Sequence, residues 1–275
     1  MRTLGQNFLV DTRIRDSIVN CAGVRSSDLV VEIGPGKGAL TRPLAERAGV
    51  FVAIEVDPVL ARDLRRVFRS EDNVHIIQDD ILSCDLRTLV HEHSANLPKT
   101  HRALVVANLP YYITTPILNK LLSDSGLFSA FTLMVQLEVA QKLTASPGSR
   151  GYSELSVKAQ YFTEPVLLFE VPPTAFDPPP AVRSAVVRMR VRPEPPVDAD
   201  SDIMFSIVGA GYGQRRKTLR NALLASRLFA GKKDAVAEVL SCASIDGGRR
   251  AETLSVEEFA AIARAYARYK AGEDN

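Results

Sequence analysis

A chain of 275 residues with 46% hydrophobic content can bury one large core or two ordinary ones, which excludes a disordered or fibrous protein. A net charge of +2 excludes the global basic field of a small nucleic-acid binder, so any RNA or DNA surface has to be a local patch. Cys21, Cys84 and Cys242 form no C-x-x-C pair, Met1–Leu4 begins no signal peptide, and no apolar run approaches membrane-spanning length; the expectation is a soluble cytoplasmic protein with no disulfide framework, metal site or membrane span.

Gly5-Gln6-Asn7-Phe8-Leu9 has no periodicity and by itself predicts a disordered end. A helix follows from about Thr12 to Cys21, with Ile14, Ile18 and Val19 at helical spacing. Leu29-Val30-Val31-Glu32-Ile33 reads as a buried strand, then Gly34-Pro35-Gly36-Lys37-Gly38 as a loop, then a helical pattern through Leu40, Leu44 and Ala45. Glycines at alternate positions let the backbone pass close to a ligand and present N–H groups at a helix start. The spacing G-x-G-x-G departs from the dinucleotide fingerprint G-x-G-x-x-G, so a smaller nucleoside is expected rather than a pyrophosphate. Phe51 to Glu55 is a second strand, and Glu55, about twenty residues after the loop, stands where nucleotide folds carry a ribose-binding acid. Asp57-Pro58 predicts the cap of a helix that turns Leu60, Leu64 and Val67 inward.

Val74 to Ile77 is a third strand, leading to Asp79-Asp80, a pair that suits either a base amino group or a solvated loop cap. Leu86 to Arg102 reads as a helix and polar loop; its His91, His93 and His101 lack Cys or carboxylate partners at ligand spacing and are read as surface residues. Leu104, Val105 and Val106 form a strand covered on both faces, and in open α/β sheets ligands bind beyond the carboxyl ends of such strands. Asn108 stands at that end. Pro110 restricts Leu109 and its own φ, so the turn can hold the Asn108 amide and nearby carbonyls in one geometry, and Tyr111 offers a flat face for a planar base. Asn and Pro also make plain turns, and the stretch alone does not choose between the two.

Thr115–Leu122 reads as a helix, Phe131–Val135 as a strand, and Glu138–Leu143 and Tyr152–Phe162 as helices around the loop at 146–151. Strands Val166–Val171 and Ala185–Met189 bracket the proline-rich loop at 172–180, in which Phe176 is a natural fixed stacking face. The alternation predicts a doubly wound, mostly parallel sheet. After the linker Arg192-Pro193-Glu194-Pro195-Pro196 only helical patterns remain, which predicts domains at 1–196 and 197–275. Within the second, Gln214 to Leu223 is read as a helix with Arg216 and Arg220 on one face and Leu219 and Leu223 in the core. Arg215, Arg216, Lys217 and Arg220, with no acid among them, favour contact with RNA phosphate.

Taken together, Gly-Gln-Asn-Phe-Leu at 5–9, Glu-Ile-Gly-Pro-Gly at 32–36, Asn-Leu-Pro-Tyr at 108–111, Phe-x-Pro-Pro-Pro at 176–180 and Gln-Arg-Arg-Lys-Thr-Leu-Arg-Asn at 214–221 resemble the ribosomal RNA adenine dimethyltransferase family, most closely its KsgA-type branch acting on small-subunit rRNA. The resemblance implies an α/β, Rossmann-like domain binding S-adenosylmethionine through Asn7, Leu9, Gly34, Gly36, Glu55, Asp80 and Asn108, followed by an all-α rRNA-binding domain. It replaces the expectation of a disordered end at residues 5–9. It implies a monomeric enzyme that dimethylates two adjacent adenines near the 3′ end of 16S rRNA in the small ribosomal subunit, with Asn108, Leu109, Pro110, Tyr111 and Phe176 around the reacting base. Two departures stand out: Tyr112 replaces a small polar residue of many relatives, and only four residues precede the first motif, so little basic extension is expected. Three other readings are weighed. A large-subunit dimethyltransferase of the macrolide-resistance type is disfavoured by the Asn-Leu-Pro-Tyr and Phe-x-Pro-Pro-Pro wording. A non-enzymatic assembly factor could coexist with catalysis, and a nicotinamide oxidoreductase is disfavoured by the glycine spacing.

Overall fold

The computed structural model describes residues 7–273, so Gly5 and Gln6 of the first motif lie outside the described residues. The chain divides into two compact units: residues up to Ala140 with Thr163–Pro193, and Gln141–Phe162 with Glu194 onward. The expected division after residue 196 is thereby corrected at two points, for it falls at Pro193 and the excursion at 141–162 joins the helical unit. The cause is packing. Tyr152, Val157 and Tyr161 bury their side chains among Met204, Phe229 and Phe259, apolar partners that come later in the chain.

The first unit runs β1 (Phe8–Leu9), α1 (Thr12–Ala22), β2 (Leu29–Ile33), α2 (Thr41–Ala45), β3 (Val50–Glu55), α3 (Pro58–Val67), β4 (Val74–Gln78), α4 (Leu86–Ser94), β5 (Ala103–Asn108), α5 (Thr114–Ser123) and β6 (Ala130–Gln136). Helix α6 (Leu137–Leu143) crosses the division, α7 (Glu154–Phe162) belongs to the second unit, and the chain returns as β7 (Thr163–Val171), β8 (Phe176–Asp177) and β9 (Ser184–Val191). Among the described residues the main sheet has seven strands in the order β4-β3-β2-β5-β6-β9-β7. Strands β2 to β6 are mutually parallel, while β9 and β7 run antiparallel to their neighbours. The order reverses between β2 and β5, the switch point at which an open α/β sheet offers a crevice beyond its strand ends.

Local chemistry sets these elements. Residues 29–33 are all buried, as a strand covered on both faces requires. Asp11, Asp57 and Asp85 accept the first free N–H groups of α1, α3 and α4, and Pro58 opens α3 where a missing N–H costs nothing. Two expectations are corrected. In α3, Ala61, Leu64 and Phe68 form the buried stripe, and Val67, 56% exposed, falls outside it because i, i+3 and i+7 from Ala61 close the apolar face without it. The glycine loop does not open directly into a helix: residues 36–40 are turn, and α2 is only five residues long. Among the described residues no helix is long and apolar enough to cross a membrane.

The second unit is helical, with α7 joined by α8 (Ser201–Gly213), α9 (Leu219–Leu224), α10 (Lys233–Cys242) and α11 (Val256–Glu273). Its own core gathers Ile207, Leu219, Leu223, Val239, Phe259 and Ile262.

Candidate active site and cationic turn

The carboxyl ends of β2, β3, β4 and β5, with the residues of β1, enclose a cavity of about 600 Å³. Its walls include Asn7, Leu9, Gly34, Gly36, Glu55, Asp80 and the continuous run Asn108–Ile113, so the residues expected around the cofactor and the reacting base converge here, with Phe176 the exception.

The N-terminal residues are tied across the site. Phe8 and Leu9 pair antiparallel with Asp177 and Phe176, and the Val10 N–H donates to the Ala175 carbonyl at 2.8 Å. Phe8 then lies over the glycine loop: the Lys37 ammonium sits 4.3 Å from its ring centroid, and a Cβ on Gly36 would come within 3.2 Å of the ring. Gly36 and Gly34 both have positive φ, and Gly34 faces the cavity with space around its missing Cβ, so a larger residue would be strained and would fill the cavity. The Gly36 N–H is not held out for a ligand. It donates to Glu55 Oε2 at 3.0 Å, and the Asp57 N–H donates to Oε1 at 3.0 Å, so the loop fixes the carboxylate at the end of β3.

Glu32 is a cavity residue that the sequence reading passed over, because one acid inside a strand looks like an interruption of an apolar run. It is buried and accepts from the Thr41 hydroxyl at 2.7 Å. Burial pushes its carboxyl up to about 8, against the Thr41 bond that favours the anion, with the Glu55 charge adding to the push. On the opposite lip Asp79 and Asp80 both reach the cavity; Asp80 accepts from the Leu82 N–H at 2.9 Å and Asp79 from the Asp80 N–H at 2.8 Å.

At the end of β5 the Leu109 N–H donates to the Met134 carbonyl at 3.1 Å, the last bond before Pro110. Asn108 Oδ1 is buried without a hydrogen-bond partner, which costs about 1–3 kcal/mol in an ordinary core. The Tyr111 hydroxyl lies 2.5 Å from Ser184 Oγ, which is fully buried at the start of β9, so the ring is held at both ends. Desolvation raises the Tyr111 phenol above its ordinary range, against the Ser184 bond, and it stays neutral at physiological pH. The stacking role expected of Phe176 is corrected: its ring is 3% exposed, packed with Leu9, Ala175 and Val186, and does not line the cavity. Pairing β8 with β1 turns it inward.

A glycine-lined cavity with a fixed carboxylate on one side and an orphaned amide oxygen on the other fits a nucleoside cofactor and a base bearing N–H groups. The family model for "Ribosomal RNA adenine dimethylase" matches residues 1–268. The chain belongs to that family. It is 50% identical over 270 residues to a "Ribosomal RNA small subunit methyltransferase A" of Pelotomaculum thermopropionicum, covering 96% of this chain and 90% of that one. The crystal structure of the 23S rRNA methyltransferase ErmE is 27% identical, with a TM-score of 0.69 over 95% of this chain and all of that one. A dimethyladenosine transferase from Plasmodium falciparum, 23% identical, shares the fold at a TM-score of 0.77 over 96% of this chain and 98% of that one. The chain is therefore a methyltransferase-family enzyme, and its cofactor is S-adenosylmethionine.

In the helical unit, Arg215, Arg216, Lys217 and Arg220 are all exposed. The expected helix through them is corrected: residues 214–217 form a turn closed by the Lys217 N–H on the Gln214 carbonyl at 2.8 Å, and α9 begins at Leu219. Arg216 and Arg220 thus do not share a helical face. The first N–H groups of α9 donate to the Arg249 and Gly247 carbonyls, at 2.7 and 3.0 Å, and this long-range bonding sets where the helix starts. Arg215 pairs with Glu252 at 3.4 Å, and among the described residues the other three form no ion pair. His93, expected at the surface, is partly buried and stacks on His75 at 4.6 Å, with burial lowering its basicity. Among the described residues no three His, Cys, Asp or Glu side chains are grouped to hold a metal ion.

Proposed function

We propose that this chain dimethylates the exocyclic nitrogen of two adjacent adenines near the 3′ end of small-subunit rRNA, working as a cytoplasmic monomer late in subunit assembly. The observation that carries this reading is the buried, partnerless Oδ1 of Asn108 beside a ring-held Tyr111.

An adenine amino group is a poor nucleophile because its lone pair is delocalised into the ring. Asn108 Oδ1 and a main-chain carbonyl of the Asn108–Leu109 turn accept its two hydrogens, which favours a pyramidal nitrogen and frees the lone pair for attack. Tyr111 stacks against the base; its hydroxyl bond to Ser184 stops the ring from turning away. Bound S-adenosylmethionine supplies an electrophilic methyl group. Glu55, held by two backbone N–H groups, would hold the ribose hydroxyls, Asp80 would hold the adenine edge of the cofactor, and Asn7 and Leu9 would cover it from the N-terminal strap. Alignment of the two reacting atoms does most of the work, and no strong base is needed because the nitrogen becomes acidic once alkylated. The target base has to leave its stack to reach Asn108, which favours an unpaired or opened stretch of RNA. The cationic turn at 215–217 with Arg220 is assigned to rRNA phosphates.

The greater identity to small-subunit relatives, 50% against 27% for the 23S enzyme, disfavours the large-subunit reading. Incubation with labelled S-adenosylmethionine and small subunits lacking the modification, followed by mapping of the label, is the test. Label confined to dimethyladenine of small-subunit rRNA supports the reading; label in large-subunit rRNA, or none, sinks it.

A further inference from the structure

Of the eight large exposed apolar residues among the described residues of the first unit, four, Val10, Val56, Leu82 and Tyr112, line the cavity, while Val59, Val67, Val166 and Val182 lie away from it; an apolar group gathered at a cavity rim is what a binding mouth presents. Val56 and Leu82 flank Glu55 and Asp80 at the ends of β3 and β4, on the side assigned to the cofactor. Tyr112 is the aromatic member, and it stands four residues beyond Asn108 on the side assigned to the base.

Its setting is the reverse of that of Tyr111. Tyr111 is tied by its hydroxyl to a buried serine, whereas the Tyr112 side chain is 57% exposed and makes neither hydrogen bond nor ring contact among the described residues. The backbone beneath it is nevertheless rigid. The Pro110 carbonyl accepts from the Ile113 N–H at 3.3 Å and from the Thr114 hydroxyl at 2.9 Å, and Leu109 and Thr114 on either side are buried. A bulky ring on a fixed turn, left in water at the rim of a cavity, loses apolar stabilisation that only a ligand can restore. Val10, 56% exposed, stands on the same rim, its backbone fixed to Ala175.

We propose that Tyr112 is a positioning residue for the RNA: its exposed ring stacks on the unpaired nucleobase adjoining the target adenine, while Tyr111 and Asn108 hold the target itself. The proposal rests on the reading that adenine is methylated in this cavity. When the target base swings out, its neighbour loses a stacking partner, and a phenol ring on a rigid support replaces it without reading the identity of that base. The neighbour thus sets how deep the target sits.

Tyr112→Ala is expected to raise KM for unmodified small subunits about five- to 150-fold, the range typical of one lost base–aromatic stack, while S-adenosylmethionine affinity stays at the parent value. Tyr112→Phe and Tyr112→Trp, which keep a ring, are expected to restore KM. The chain contains no tryptophan, so Tyr112→Trp also places a single indole at the rim. With S-adenosylhomocysteine present, an RNA hairpin whose loop holds an unpaired adenine followed by 2-aminopurine should quench both the indole and the 2-aminopurine, and Tyr112→Ala should leave the 2-aminopurine bright. An unchanged KM for Tyr112→Ala, or an equal defect in Tyr112→Phe and Tyr112→Ala, overturns the proposal. The fluorescence arm needs no methyl transfer, so a parent protein that quenches the probe yet labels no adenine would refute the reaction assigned above and leave the stacking role standing.

Discussion

Two strand ends of one sheet carry polar groups of opposite condition. At the end of β3 both oxygens of Glu55 already accept backbone N–H groups; at the end of β5 the amide oxygen of Asn108 accepts nothing. A group whose bonds are made supports the fold as well as any ligand, so its removal disturbs both. A buried group with its bond unmade is a cost to the folded protein, and its removal should fall on function alone. Glu32 stands between them, buried and with one hydroxyl partner.

The largest expected effect is therefore that of Asn108→Ala. Single-turnover methyl transfer at saturating cofactor and subunit should fall by about 10²–10³-fold, as for other lost transition-state hydrogen bonds, with the urea midpoint unchanged or raised. A rate within a few-fold of the parent would mean that Asn108 is only a turn residue.

Glu32 probes the intermediate case through pH. Its folded carboxyl titrates near 8 against an ordinary 4.5, so the folded state holds the proton more tightly than the unfolded state between those values. Stability from this group is present below about pH 4.5 and is lost as pH rises toward 8, the reverse of a salt-bridged carboxylate. Glu32→Gln should flatten that slope and gain at most about 4 kcal/mol over the parent at pH 8, read by chemical denaturation at both ends of the window. Equal pH slopes in the two proteins would show that Glu32 does not hold its proton.

Glu55→Ala sharpens the contrast from the satisfied side. It should weaken S-adenosylmethionine binding roughly tenfold by calorimetry, and also lower stability by about 1–2 kcal/mol, because the Gly36 and Asp57 N–H groups lose their acceptor. Loss of affinity without loss of stability would separate Glu55 from the loop it braces.

The smallest effects belong to the helical unit, where the same distinction applies to cations. Arg216→Ala should reduce the slope of log affinity against log salt for the small subunit by about 0.7–0.9, one phosphate contact. Arg215→Ala should change it less, since Arg215 already pairs with Glu252. Equal slopes for both variants and the parent would move the RNA surface elsewhere.

The apolar strand runs, the aspartate caps of α1, α3 and α4, and the order of strand and helix depend on neighbours a few residues away, so the sequence alone determined them. It also placed Gly34, Glu55, Asp80 and Asn108 together at the cavity, because a parallel sheet sends every strand end to one edge and each of these residues ends or follows a strand. What it could not carry were contacts whose partners are distant along the chain. Glu55 meets the Gly36 N–H 19 residues away, and Tyr111 meets Ser184 across 73; neither pairing has a local signature. Phe176 looked like a free stacking face because prolines surround it, but the antiparallel pairing of Leu9 with Phe176 turned the ring into the core. Residues 141–162 read as part of the sheet domain until Tyr152 and Val157 found their apolar partners among the C-terminal helices. Arg216 left its expected helix because carbonyls from residues 247 and 249 capped α9 at Leu219. In each case burial and backbone hydrogen bonds to remote segments outweighed local preference, since those terms exist only once the chain has closed on itself.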